Sequence, residues 1–329
     1  MNCSLIGALV STVVAIHPIE LDDVISNPGM GWQSFYTTKN NDPSNAGIPS
    51  QAAYIRYYWS TAIGVVGPAT RKPVVKLAIR GRDANGWYPP STVSISGTNY
   101  QLVWSDEFNG TSVDASKWNE VGPWGKPVSS TGNFSYSPSN VSVSNGVATI
   151  TARRSGNAWT GGILSTDTTK QFQYGFVEVR AKIPAGQGFW PAIWLYGNSG
   201  APELDVMESI GDASTAYQTY HFPGGQHGAQ ASNLSPDYHL FQMKWEPGKI
   251  TYYVDNVQTG TWTDNVPSDP MFLMLNFDVG GPGDWSGAPD SSTPSPATFN
   301  IDYVRVYGSR LRHPRPRGPS HRSPGRAAK

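Results

Sequence analysis

Between Gln101 and Tyr307, hydrophobic and polar residues alternate in short runs. Turn-forming residues interrupt these runs about every 8 to 12 positions, the texture of a sandwich or barrel. Phe176–Ile183 alternates with period 2, and Val141–Ser144 and Val147–Ile150 flank Asn145-Gly146, a dipeptide that closes tight hairpins. Lys249–Val254 runs into Asp255-Asn256, and Phe299–Tyr307 reads as a terminal strand. Neighbouring side chains of a strand point to opposite faces, so such runs bury one face against a second sheet. The pattern predicts an all-β chain built as two packed antiparallel sheets.

The flanks differ in character. Residues 1–98 contain apolar stretches at Val13–Ile16 and Val74–Ile79 and a mixed run at Asn27–Phe35, which do not add up to a closed pattern. Asn27–Trp32 followed by Ala53–Trp59 resembles the opening strands of a (β/α)-barrel sugar hydrolase. That fold needs about 200 residues or more, so 1–98 is read as a fragment or an N-terminal extension without a defined fold. Its longest apolar run, Leu5–Ile16, reads as an altered export signal or as a buried first strand, since no Lys or Arg precedes it and no small-x-small site follows. Residues 309–329 hold six Arg, one Lys and no acid, which predicts a disordered Arg/Pro-rich tail, either an arm for an acidic surface or an appendage. The predicted functional body is 99–308.

Composition sharpens this reading. With 35 Gly and 27 Pro in 329 residues, 12% aromatic and only 15% charged, the chain is turn-rich and helix-poor. Coiled coils, helical bundles and disordered chains are excluded for the bulk of it. The formal net charge of zero hides a body of 19 acids against 10 bases over residues 99–308. Such a surface repels polyanions, which argues against nucleic acid and sulfated polysaccharides as partners. Cys3 is the single cysteine, so no intramolecular disulfide and no thiolate metal site can form. No apolar run reaches the roughly 18 to 20 residues of a membrane span, and no membrane partner is expected.

The chemistry concentrates in Glu203-Leu204-Asp205-Val206-Met207-Glu208. On a strand, Glu203 and Asp205 share one face while Leu204 and Val206 face the core. Strict alternation sends Glu208 to the wrong side, and one extra residue at Val206-Met207, a β-bulge, restores the phase. Three gathered carboxylates repel, so the pKa of at least one is expected to rise. That is the requirement of a retaining glycosidase, with one ionised nucleophile and one protonated acid, and Glu203 and Glu208 are the candidates for the pair. Asp205 is positioned to hydrogen-bond to Glu203 and apportion the charge. A bare acidic strand that binds nothing has the same hexapeptide. The surroundings decide against it: Gly188–Leu195 places Trp190 and Trp194 on one face, and Tyr217–Phe222 is a polar and aromatic strand beside it. Aromatic faces cover the C–H faces of pyranose rings.

Trp104–Gly110, Gly175–Lys182, Trp190–Trp194, the carboxylate hexapeptide and Ile301–Tyr307 occur in the order seen in glycoside hydrolase family 16. The chain resembles laminarinase and lichenase-like members of that family over about residues 101–308. The resemblance implies a jelly-roll, concanavalin-like β-sandwich with a cleft on its concave sheet. It further implies Glu203 as nucleophile, Glu208 as acid/base and Asp205 as the assisting acid. Met207 matches the laminarinase-type pattern, in which the bulge residue is kept. Substrate-binding candidates are Trp190, Trp194, Trp124, Arg180, His221 and Trp285. His221 is expected near the acid/base residue or in a structural hydrogen bond, and Trp285, in the loop Gly280–Trp285, stacks on a sugar or packs its loop down. Trp124 among these, and Trp159 besides them, are the weaker cleft candidates, and Trp104, Trp118, Trp245 and Trp262 are assigned to the core. The resemblance also implies a structural Ca2+ on the convex face, with Asp302 as ligand and backbone oxygens near Glu107 and Gly146; otherwise Asp302 is a lone solvent-facing acid. No cofactor is required for catalysis.

The resulting expectation is a secreted, monomeric endo-β-glucanase acting on internal β-1,3 bonds of β-glucan, mixed β-1,3/1,4 chains included, with retention. A neutral β-galactan as substrate and a non-catalytic lectin-like sandwich are the alternatives.

Overall fold

A computed structural model describes residues 86–124, 134–197 and 200–309, together with strands at 31–36, 52–60 and 74–83. The apolar run at 5–16 and the basic tail from 310 lie outside the described residues. Strands β1 (Gly31–Tyr36), β2 (Ala52–Ser60), β3 (Val74–Asp83) and β4 (Gly86–Tyr88) form a meander of their own. Every pairing in it is antiparallel, which corrects the likeness to an opening (β/α) barrel, whose neighbouring strands run parallel.

The sandwich comprises β5 (Thr92–Ile95), β6 (Thr98–Asp106), β7 (Phe134–Tyr136), β8 (Val141–Ser144), β9 (Val147–Ser155), β10 (Ala158–Ser165), β11 (Gly175–Lys182), β12 (Phe189–Gly197), β13 (Gly200–Glu208), β14 (Ala216–Phe222), β15 (Gly225–Ala231), β16 (His239–Glu246), β17 (Lys249–Val254), β18 (Val257–Trp262), β19 (Met271–Val279) and β20 (Ala297–Ser309). One layer runs β15-β14-β13-β12-β19-β10, and the other β9-β20-β11-β16-β17-β18, with β6 and β5 continuing from β20 and β8 from β9. Strand β10 turns the corner, pairing with β19 in the first layer and with β9 in the second. Because β5 pairs with β6, the sheet begins near residue 92, somewhat before the expected boundary at 99. Asn145 (φ 52°) and Gly146 (φ 76°) close the predicted β8–β9 hairpin with both residues left-handed.

The alternation read from the sequence becomes the core. Ile193, Leu195, Leu204, Val206, Leu275 and Phe277 from the first layer meet Val177, Val179, Phe241, Met243, Val304 and Val306 from the second. Each such side chain contributes about 1.5–3 kcal/mol on burial. Trp118 and Trp245 are buried, and Trp104 and Trp262 pack partly buried against the same cluster. Trp159 is buried too, set edge-on against Phe189 at 6.0 Å, and is a core residue instead of a cleft residue.

Neighbouring strands of the first layer approach closely at the corner. A Cβ on Gly161 would run into the Phe277 carbonyl oxygen, which is backbone and has no room to yield. Gly161→Ala is expected to cost about 3 kcal/mol, the upper range for overpacking, seen as a lower urea midpoint at unchanged m. An unaltered midpoint would mean that β10 and β19 are free to move apart.

Candidate active site

The site begins with β13 losing its alternation. Glu203 and Asp205 sit on the face turned from the core, and Leu204 and Val206 are fully buried. On the β12 side Trp194 pairs with Asp205 but Ile193 with Met207, which leaves Val206 without a partner residue. On the β14 side Asp205 pairs with Thr219 and Glu208 with Tyr217, again one residue over. Val206 and Met207 are both buried, and Glu208 returns to the face of the other two acids. The bulge stands where the spacing of the acids placed it.

Flanking strands supply the walls. Ala192 lies opposite Glu208, Trp194 opposite Asp205 and Tyr196 opposite Glu203 on β12, while His221 is opposite Glu203 on β14. Together with Trp124, Tyr136, Trp190, Asn276 and Asp278, the three carboxylates line a hollow of about 580 Å3. Trp190 Nε1 donates to Glu208 Oε1 at 2.8 Å. Trp194 Nε1 donates to Asn276 Oδ1 at 2.7 Å, and Asn276 Nδ2 donates to Asp278 Oδ1 at 2.9 Å. The two tryptophans are thereby fixed by their N–H groups.

Burial pushes Glu208 up to about 8, helped by the neighbouring Asp205 charge and opposed by the Trp190 N–H and by His221. Asp205 is raised well above the carboxylate range, by burial first and then by Glu203. Glu203 is raised less, because His221 offsets part of its burial and of the Glu208 charge. Near neutrality the floor thus offers a protonated Glu208 close to a carboxylate that ionises more easily, Glu203.

The expected binding residues divide. Trp190, Trp194 and Trp124 line the hollow. Trp124, 55% exposed, lies nearly parallel to Trp194 at 6.0 Å and beside Tyr196, marking the Glu203 end. Trp285, 48% exposed, packs edge-on to Trp190 and Tyr217, marking the Glu208 end. It holds its loop against those rings and keeps an open face as well. His221 is nearer to Asp205 (Nε2 to Oδ2, 3.1 Å) and Glu203 (3.8 Å), which moves it from the acid/base side to the nucleophile side. Arg180 is corrected: it is 1% exposed, paired with Asp302 and set over the Tyr238 ring on the other layer. Period 2 explains this, since Val179 and Ala181 face the core and Arg180 must face away from it.

Asp302 is buried, not solvent-facing. Strand β9 covers β20 only as far as Ile301 and β6 takes over at Val304, so Asp302 sits at a break in pairing on that edge. The end of β6 carries Glu107 to this break, and the β8–β9 turn carries Gly146. Arg305 takes both carboxylate oxygens of Glu107 (2.8 and 3.0 Å). Asp302, its carboxylate shared with Arg180, offers at this break an oxygen ligand of the kind Ca2+ takes, one of the six to eight that such an ion gathers.

Sequence reasoning missed Tyr136, Tyr196, Tyr217, Asn276 and Asp278. The signal for two of them was present: Asn276 and Asp278 are polar residues two apart in the otherwise apolar β19, hence on one face.

A jelly-roll sandwich whose cleft floor pairs an ionisable with a proton-holding carboxylate between tryptophans defines the glycoside hydrolase class. Residues 129–305 match the model of glycosyl hydrolases family 16, and the chain belongs to that family. It is 34% identical to glucan endo-1,3-beta-glucosidase A1 of Niallia circulans, over 66% of this chain and 39% of that protein. It is 32% identical to the keratan-sulfate endo-1,4-beta-galactosidase of Sphingobacterium multivorum, over 66% of this chain and 57% of that protein. The chain thus spans less than two thirds of the length of either relative. The crystal structure of endo-beta-1,3-glucanase from Pyrococcus furiosus superposes with a TM-score of 0.60 at 31% identity, covering 67% of this chain and 99% of that one.

Proposed function

We propose that this chain is a retaining endo-β-glucanase that cleaves internal β-1,3 bonds, in mixed β-1,3/1,4 glucan as well. The observation that carries the reading is the bulged β13, which seats Glu203, Asp205 and Glu208 on the floor of an aromatic-lined cleft. Glu203 attacks the anomeric carbon as Glu208 gives its proton to the departing glycosidic oxygen, forming a glycosyl-enzyme and a shortened chain. Glu208, now a carboxylate, takes a proton from water, whose oxygen displaces Glu203 and restores the original anomeric configuration. Exposed aromatic rings at both ends of the floor suit a polymer that extends past the cut on each side, hence endo action. The reading includes secretion, since polymeric substrate is met outside the cell, and action as a monomer. A structural Ca2+ held by Asp302 and carbonyls near Glu107 and Gly146 would pin the break in β20 and take no part in the chemistry.

A β-galactan is the second reading, favoured by the likeness to the Sphingobacterium galactosidase. Product analysis on laminarin, barley β-glucan, lichenan, carboxymethylcellulose, agarose and κ-carrageenan separates the two. Oligosaccharides from laminarin or barley glucan are expected; release from a galactan alone would move the substrate and keep the mechanism. Silence on every polymer with retained binding would favour a lectin. Trp285→Ala is expected to raise KM about tenfold with kcat little changed, as for a contact equal in ground and transition states. An unchanged KM would show that the ring only packs its loop.

A further inference from the structure

We propose that Glu203, Asp205 and His221 form a chelating site for a first-row transition-metal dication such as Zn2+ or Cu2+, which shuts the catalytic floor by capturing the nucleophile. One ligand atom from each residue lies within 4.8 Å of the other two. His221 Nε2 stands 3.1 Å from Asp205 Oδ2 and 3.8 Å from Glu203 Oε1. Metal–ligand bonds of about 2.0–2.2 Å in a tetrahedron separate ligand atoms by about 3.3–3.6 Å, so both distances from His221 stand within a few tenths of an ångström of those around a bound ion.

A second observation points to a ligand. Asp205 is 2% exposed, yet its Oδ2 has no hydrogen-bond partner, and His221 Nε2 approaches it without the alignment of a hydrogen bond. A buried carboxylate oxygen and an imidazole nitrogen converging in this way are arranged as two ligands more than as donor and acceptor. The donor set, one imidazole and two carboxylates, suits zinc and copper; calcium prefers six to eight oxygens. The His221 and Glu203 side chains are 36% and 31% exposed, which gives an ion a path in and leaves an outer position for water. Of the three ligands, Glu203 is the nucleophile of the proposed reaction, so metal and sugar exclude one another.

The site rests on that reading only for its effect on turnover, and binding is measured without substrate. ZnCl2 is titrated calorimetrically into the full chain in a non-chelating neutral buffer with excess CaCl2 to fill hard-oxygen sites. One saturable site is expected, weakened at least tenfold in Glu203→Gln and in His221→Gln and unchanged in His227→Gln, which alters the exposed His227–Asp264 pair instead. Co2+ in place of Zn2+ is expected to give visible d–d bands that vanish in His221→Gln, while the circular dichroism of each variant stays that of the parent. Absence of saturable binding overturns the proposal, as does binding that His221→Gln and Glu203→Gln leave intact. Loss of hydrolysis on all polymers, with the titration as expected, would sink the hydrolase reading and leave this one standing.

Discussion

Glu203→Gln is expected to lower kcat/KM on laminarin by about 10^4-fold or more, roughly 5 kcal/mol of transition-state stabilisation, while oligosaccharide binding persists. The amide keeps the shape of the side chain on the cleft floor but lacks the negative charge that makes the carboxylate a nucleophile toward the anomeric carbon. Glu203→Ala with added azide gives a sharper test. The emptied space admits a small anion, which attacks in place of the carboxylate and leaves a glycosyl azide of inverted configuration. Rescue with inversion identifies the nucleophile. Undiminished hydrolysis by Glu203→Gln would remove Glu203 from that role.

Glu208→Gln is expected to act in two directions at once. On glucans, whose leaving alcohol needs a proton, activity falls about 10^2- to 10^4-fold, and on an aryl glycoside with an acidic leaving group the first step falls far less. In the parent, the proton that Glu208 donates is lost as pH rises through about 8, and the basic limb of kcat/KM belongs there. Stability depends on this proton as well. The native state holds this proton up to about 8, whereas the unfolded chain releases it near the ordinary 4.5. Between those values the folded protein binds more protons than the unfolded, so stability falls as pH rises across the window. Glutamine carries no such cost, and Glu208→Gln is expected to melt several degrees higher at pH 8 and close to the parent at pH 4. Equal melting temperatures at both pH values would place Glu208 in a wetter setting than its burial between Trp190 and Tyr217 implies.

What the residues disclosed follows from local rules. The strands, the Asn145-Gly146 hairpin and the bulge were legible because period 2 and a surplus residue between Asp205 and Glu208 are local facts. The lining from β19 was not, since only the pairing of β12 with β19 brings Asn276 and Asp278 to the cleft. Arg180 was misplaced for a related reason: both faces of β11 are covered, so a charged residue on it says nothing about which layer's outer face is the cleft. Asp302 was located correctly on the last strand, but its burial and its pairing with Arg180 depend on a residue 122 positions away. The N-terminal segment misled because a short aromatic strand has the same texture in a meander as in a barrel.

The corner strand β10, shared by both layers, bears on how the enzyme would fail under heat. Neither sheet can peel from the other without tearing ladder hydrogen bonds on one side of that seam, so the sandwich has no cheap way to gape. The cleft floor, anchored two strands away through β19 and β12, should keep its shape until the whole body melts. Inactivation on warming and loss of the fold would then be a single event, and reinforcing the seam would lengthen working life without touching a residue that meets sugar.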